Sequence, residues 1–178
     1  MLAIARAAIR AAVEGDTPPA EPMDVPQRLR IPGGVFVSLH HGTSLRGCIG
    51  TVTPERSLAL ATAEVAAAAA TRDPRFLPVP PAELDELEME ISVLSAAIPA
   101  VAADVDPVRH GVCLRLGRRR AVLLPQVAAR EGWDRETLLG HLSEKAGLAA
   151  HAWRDPEAAF LVFTVESVSA PLRQTASP

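Results

Sequence analysis

Aromatic side chains make up only 3% of this 178-residue chain, and tyrosine is absent. A surface that stacks single-stranded bases needs several aromatics, so the composition argues against nucleic-acid binding of that kind. Nor is there a basic excess to meet a phosphate backbone: Lys+Arg number 18 against 21 Asp+Glu, for a net charge of -3. Cysteine is scarce as well. Two of them, Cys48 and Cys113, do not make a disulfide scaffold. A reduced cytosolic pair is the simplest reading, which leaves open whether the two ever pair. Neither CxxC nor HExxH occurs, so no metal site is expected, and nothing in the sequence calls for a cofactor. No apolar run approaches the roughly 18 residues that suggest a membrane span. The apolar N-terminus is interrupted at every fourth residue by Arg6, Arg10 and Glu14. That spacing lays one polar stripe along a docked amphipathic helix, whereas a signal peptide carries its basic residues ahead of the apolar run. These absences together point to a cytoplasmic protein.

What is present is a hydrophobic fraction of 48%, enough for a full core in one domain or in two unequal lobes. Residues 2–14 read as a first helix ended by Gly15. Four prolines then make 15–30 an extended connection. Strands are expected over 35–39 and, broken by glycine, over 45–52. Thr53-Pro54 resembles a helix start, and 57–70, mostly Ala and Leu, should be helix. The plainest strand is 87–94, where Leu87, Met89, Ile91 and Val93 alternate with Glu88, Glu90 and Ser92. A hairpin around Gly117 is expected from 111–116 and 120–124. Asp134 should cap a helix running to Lys145, and 159–168 reads as a last strand, with the tail fraying from about Ala170. Strands without regular βαβ alternation argue for an α/β protein of the α+β type, a mainly antiparallel sheet flanked by helices.

One segment is chemically unusual. In Leu45-Arg46-Gly47-Cys48-Ile49-Gly50 two glycines flank a cysteine. Glycine within a strand marks a bulge or a close approach by a ligand or another backbone. In an extended segment Arg46 and Cys48 share a face, and a cation beside a thiol favours the nucleophilic thiolate. Arg46 also suits a carboxylate or phosphate, so a small anionic ligand is implied. Against this stands the ordinary reading of Cys48 as a small core residue.

The hexapeptide, followed in order by Asp73-Pro74-Arg75-Phe76, Glu90-Ile91-Ser92-Val93-Leu94, His110-Gly111, Leu124-Pro125-Gln126-Val127, Gly132-Trp133 and Lys145-Ala146-Gly147-Leu148, resembles the AMMECR domain family, also called AmmeMemoRadiSam system protein A. The matches run from about residue 35 to 153. The resemblance implies a single domain over 1–170 with two unequal lobes and a cleft between them, lined partly by the hexapeptide; the Ser-, Thr- and Pro-containing tail over 171–178 is expected to be loose from its composition. The resemblance also implies a genomic association, in many microbes, with a Memo-type protein and a radical S-adenosylmethionine protein, and no established reaction. His141 and Ser143 depart from the family, where a cysteine is expected in many relatives.

Several other residues are candidates for chemistry. His110, at the mouth of a strand, suits a general base as well as a structural histidine. Asp73 and Arg75 sit in a proline-bounded loop where binding residues are common, although a turn cap paired with its own arginine is the favoured alternative. Glu88 and Glu90 belong to a solvated strand face. His40 and His41 should diverge, as neighbours on a strand do. Arg118, Arg119 and Arg120 read first as a solvated hairpin turn. Cys113 lies beside Arg115 with nothing else to recommend it, and Trp133 and Trp153 read as packing anchors. Two functions follow. One is a small-molecule enzyme with Cys48 as nucleophile or redox centre, His110 as acid/base, and Arg46, Gly47, Gly50, Asp73 and Arg75 holding the ligand. The other is a non-catalytic accessory or protein-interaction module that uses the same residues for recognition.

Overall fold

A computed structural model describes residues 1–16, 25–53 and 55–173. Along the chain run α1 (Leu2–Glu14), β1 (Val35–His41), β2 (Ser44–Thr51), α2 (Leu58–Thr71), β3 (Leu87–Leu94), β4 (Ile98–Ala100), β5 (Gly111–Leu116), β6 (Arg119–Leu123), α3 (Pro125–Glu131), α4 (Arg135–Lys145), β7 (Ala159–Phe163) and β8 (Val165–Pro171). They form two compact units. The first comprises Met1–Val93 and the chain from Glu166 onward, and the second comprises Leu94–Val165.

The first unit is organised by α2. This helix is almost wholly small and apolar and is buried on most sides, as expected of a helix covered by its own fold. Ser57 caps it by accepting the Leu60 N–H at 3.2 Å. The start therefore falls after the expected Thr53-Pro54, of which Pro54 lies outside the described residues. α2 packs on α1 and on β1 and β2. The sheet order is β2-β1-β3-β8, with β1 antiparallel to both β2 and β3. Strict alternation buries Val35, Val37 and Leu39 of β1 together with Leu87, Met89 and Ile91 of β3, and Ala5, Ala8 and Ile9 of α1 join the same core. On the polar stripe of α1, Arg6 Nη2 donates to the carbonyl of Pro171, at the end of β8, at 3.0 Å, and Arg10 pairs with Asp85.

The second unit has the sheet order β4-β7-β5-β6, with each neighbouring pair antiparallel. Leu138, Leu139 and Leu142 of α4 pack with Val112, Leu114, Leu123, Phe160 and Val162 in its core. Asp134 caps α4 as expected, accepting the Thr137 N–H at 2.8 Å. The hairpin around Gly117, which has a positive φ of 56°, also matches expectation. The short helix α3 and strand β4 were not expected. No helix among the described residues is long and apolar enough to cross a membrane.

Two boundaries differ from the sequence reading. The single strand expected over 159–168 is two strands in two sheets, β7 and β8. The break is Thr164, pinned to Ser95 by a pair of bonds of 3.0 Å each: the Ser95 N–H donates to the Thr164 carbonyl, and the Thr164 N–H donates to Ser95 Oγ. Apolar periodicity alone carries no mark of such a switch. Order also extends past Ala170. Leu172 is fully buried, and its N–H donates to the Leu87 carbonyl at 2.8 Å. The rest of the expected tail, 174–178, lies outside the described residues. Because Leu172 belongs to the core, Leu172→Ala should lower stability by about 2–4 kcal/mol in urea unfolding. A loss below about 0.5 kcal/mol would mean that the tail is dispensable.

Candidate functional site

β2 is an edge strand, and an edge leaves backbone N–H and C=O groups without a neighbouring strand. At Cys48 two side chains supply what the missing strand would. The Cys48 N–H donates to Asp73 Oδ2 at 2.8 Å, and the Cys48 carbonyl accepts from Arg75 Nη2 at 3.2 Å. Asp73 and Arg75 are themselves locked together. Arg75 donates to Asp73 through Nε at 2.9 Å, through Nη2 at 2.7 Å and through its backbone N–H at 3.1 Å. The Asp73 side chain is 2% exposed, whereas that of Arg75 is 53% exposed. A buried carboxylate with four donors thus faces the strand, while the guanidinium bridges strand and solvent.

The electrostatics follow from that geometry. Hydrogen bonding by Arg75 holds the Asp73 carboxyl well below the usual carboxylate range; the N–H groups of Cys48 and Arg75 add to this, against the opposing effect of burial. The Arg75 guanidinium is pushed up, first by its bond to Asp73 and also by the charge of Asp73 and the proximity of Cys48. The cation at the cysteine is therefore Arg75.

Arg46, placed beside the thiol by simple alternation, is used differently. Leu39 pairs with Gly47 and His40 with Leu45, so the register slips at Arg46 and the two-residue period on which that placement rested is interrupted. Its guanidinium makes a two-pronged pair with Glu83, at 2.7 Å through Nε and 3.1 Å through Nη2. It also donates to the carbonyls of Leu77 at 2.8 Å and Pro78 at 3.3 Å. The glycines have packing reasons. A β-carbon on Gly47 would lie 2.2 Å from the Ala69 carbonyl oxygen of α2, and one on Gly50 would lie 2.2 Å from the Phe36 ring.

The sheet face opposite α2 carries the Cys48 side chain. Across the sheet its register partner is Ser38, and the partner of Ser38 on β3 is Glu90. Ser38 Oγ lies 3.2 Å from Cys48 Sγ and donates to it. Sequence reasoning missed Ser38, although its alternation with the buried Val37 and Leu39 was a usable signal. His110 belongs to the second unit, where its Nδ1 accepts the Asp106 N–H at 3.1 Å. A neutral ring held this way carries its proton on Nε2. His40 faces Glu88 across the sheet, and His41 Nε2 lies 2.9 Å from Glu86. Among the described residues no group of three or more His, Cys, Asp and Glu side chains is arranged to hold a metal ion. In the second unit Trp133 stacks on His141 with ring centres 4.1 Å apart, Trp153 carries Arg154 4.0 Å above its ring, and Ser143 is buried, donating to the Leu139 carbonyl at 2.9 Å.

Two outcomes are expected. Because the Asp73 pKa is depressed on folding, its stabilisation is complete above the unfolded value of about 4 and is lost as pH falls through the lower folded value. Asp73→Asn should cost about 1–3 kcal/mol at neutral pH, and the deficit should shrink below about pH 4. Urea unfolding over a pH series checks this, and a deficit that stays constant with pH would contradict it. Gly47→Ala should cost about 1–3 kcal/mol, since the clash is with backbone; a melting temperature equal to that of the parent would show that α2 can move aside freely.

Comparison with known proteins agrees with the fold and covers nearly the whole of it. The AMMECR1 family model matches residues 2–168. A protein of Methanothermobacter thermautotrophicus is 42% identical over 164 residues, covering 88% of this chain and 85% of the relative. Protein MK0488 of Methanopyrus kandleri is 41% identical over 153 residues, 79% of this chain and 72% of the relative. The crystal structure of the uncharacterized protein PH0010 from Pyrococcus horikoshii superposes with a TM-score of 0.90 at 34% identity, covering 94% of this chain and 88% of that one. With the match spanning both units and relatives of this identity, the chain belongs to the AMMECR1 family.

Proposed function

We propose that the first unit presents a binding site for a small anionic molecule at Cys48, with Arg75 as the cation that receives it and the Cys48 thiol as its reactive group. The observation that carries this reading is the hold on residue 48. Its backbone N–H and C=O are fixed by Asp73 and Arg75, and its sulfur accepts from Ser38. A thiol so positioned loses little freedom when a ligand binds, which is what a preorganised site requires. The half-exposed guanidinium has Nε and Nη2 turned to Asp73 and Cys48, and its remaining nitrogen, Nη1, is the one placed to meet a carboxylate or phosphate. Arg46, Gly47 and Gly50 support the site by shaping β2 and holding loop 77–83 against it. In an accessory role, beside the Memo-type and radical S-adenosylmethionine proteins that the family resemblance implies, the same groups would serve recognition alone. The heavy internal use of Arg46 and Asp73 favours recognition, because it makes the site rigid rather than proton-exchanging.

The two cysteines allow a direct test. Burial pushes the Cys113 thiol up, with Arg120 and Arg115 opposing. Cys48 should therefore alkylate faster than Cys113 with iodoacetamide near neutral pH, as followed by mass spectrometry. Iodoacetate carries the charge that Arg75 should attract. The iodoacetate-to-iodoacetamide rate ratio at Cys48 should fall about threefold or more in Arg75→Gln and stay constant at Cys113. Equal labelling of both cysteines, or a ratio at Cys48 indifferent to Arg75, would remove the case for an anion site at this thiol.

A further inference from the structure

The hairpin of the second unit carries a pairing that folding alone would not select. Arg115 on β5 lies directly across from Arg120 on β6. Residues opposite one another in an antiparallel pair share a face, with β-carbons about 4.5–5.5 Å apart, and like charges there repel. Both arginines are exposed, as is Arg118 in the turn between them. Among the described residues none of the three forms an ion pair with a carboxylate. The chain has 21 acidic residues, so the lack of a partner is not a shortage of carboxylates. Arg119 is a different case. It pairs with Leu116, on the opposite face, and its Nη1 lies 3.4 Å from where a β-carbon on Gly147 would stand, just past the end of α4. A cation there meets the negative end of a helix, so Arg119 has a place in the fold.

The Cys113 thiol lies on the sheet face that Arg115 and Arg120 share. It lies two residues from Arg115 along β5, on the same face, and both Arg120 and Arg115 oppose the upward push of burial on it. Two planar forks side by side, each offering paired donors, match the oxygens of a phosphate group, and a third guanidinium at the turn extends the reach.

We propose that Arg115 and Arg120, with Arg118 at the turn, form a binding site for a small phosphate-bearing anion carrying at least two negative charges. The ligand neutralises a pair of charges that repel each other in its absence. A nucleic acid fits less well. The hairpin Gly111–Leu123 offers no aromatic side chain for stacking, and the chain as a whole is acidic. This site is built from residues of the second unit alone and does not rest on the reading of Cys48, so either can fail without the other.

The test is isothermal titration of the full chain with pyrophosphate at low ionic strength, with sodium chloride of matched ionic strength as the control. Saturable binding is expected, weakened at least tenfold in Arg115→Gln and in Arg120→Gln. Arg130→Gln removes an equal charge from an arginine already paired with Glu131 at 3.0 Å, and it should leave the affinity within about twofold. With no ligand present, Arg120→Gln should melt at or above the temperature of the parent, because a repulsion has been removed. Three results would overturn the proposal: no saturable binding, equal loss in all three variants, or an unliganded Arg120→Gln that melts lower. Tighter binding of a single-stranded oligonucleotide than of pyrophosphate, with a steep salt dependence, would reassign the patch to nucleic acid.

Discussion

Much of the first unit depends on how the exposed edge of β2 is completed. A strand edge in water invites another strand, and proteins cover or charge such edges. Here the cover comes from a turn rather than a strand. The Asp73 carboxylate stands in for a backbone acceptor and the Arg75 guanidinium for a backbone donor, both at Cys48. Because Asp73 is buried, its charge is tolerable only with donors on every side, and it has four. Removing any one donor leaves a buried anion short of partners, so the turn, the strand and the end of α2 are held as one piece.

A second fastening runs parallel to the first. Arg46 sits at the register slip of β2 and binds Glu83 and the carbonyls of Leu77 and Pro78. The loop after α2 is thus fastened to the edge strand at two points, through Arg46 and through Asp73. Gly47, between them, lets the backbone of α2 come close. The close approach of α2 at Gly47 and the Phe36 ring beside Gly50 explain why this edge strand carries two glycines. Cys48 emerges from this arrangement with its backbone fixed from one side and its sulfur turned to the opposite sheet face beside Ser38. Small-molecule recognition at that sulfur is a reading of its rigidity and of the half-exposed cation next to it.

The second unit also ties down several of its cations. Arg119 and Lys145 are absorbed by the fold, the first beside the end of α4 and the second on the Val122 carbonyl at 2.9 Å. Arg154 is shared between Glu136 and the Trp153 ring. Arg115 and Arg120 stand out against that background because they face each other across the hairpin and, among the described residues, neither forms an ion pair with a carboxylate.

What was legible in the sequence was local. Alternation in Leu87–Ile91, the alanine-rich run of α2, the cap at Asp134 and the turn at Gly117 all act over a few residues, and each appears where its pattern places it, whereas Ser92, expected on the wet face, is buried and bonded to Ser167. Membership of the family was legible too, because ordered short motifs survive without any knowledge of contacts. The tertiary structure decided the rest, since it turns on partners distant in the chain. Arg46 looked like a clamp beside a thiol until a register slip and Glu83, 37 residues away, claimed its guanidinium. Asp73 and Arg75 looked like a self-contained turn, and are that, but the turn also completes a strand 25 residues earlier. The strand expected over 159–168 became two because Thr164 bonds Ser95, 69 residues back. Backbone propensity and hydrophobic period are written into neighbouring residues. Which hydrogen bond completes an edge, and which cation meets a given sulfur, is settled only when distant segments pack and each buried polar group must find a partner.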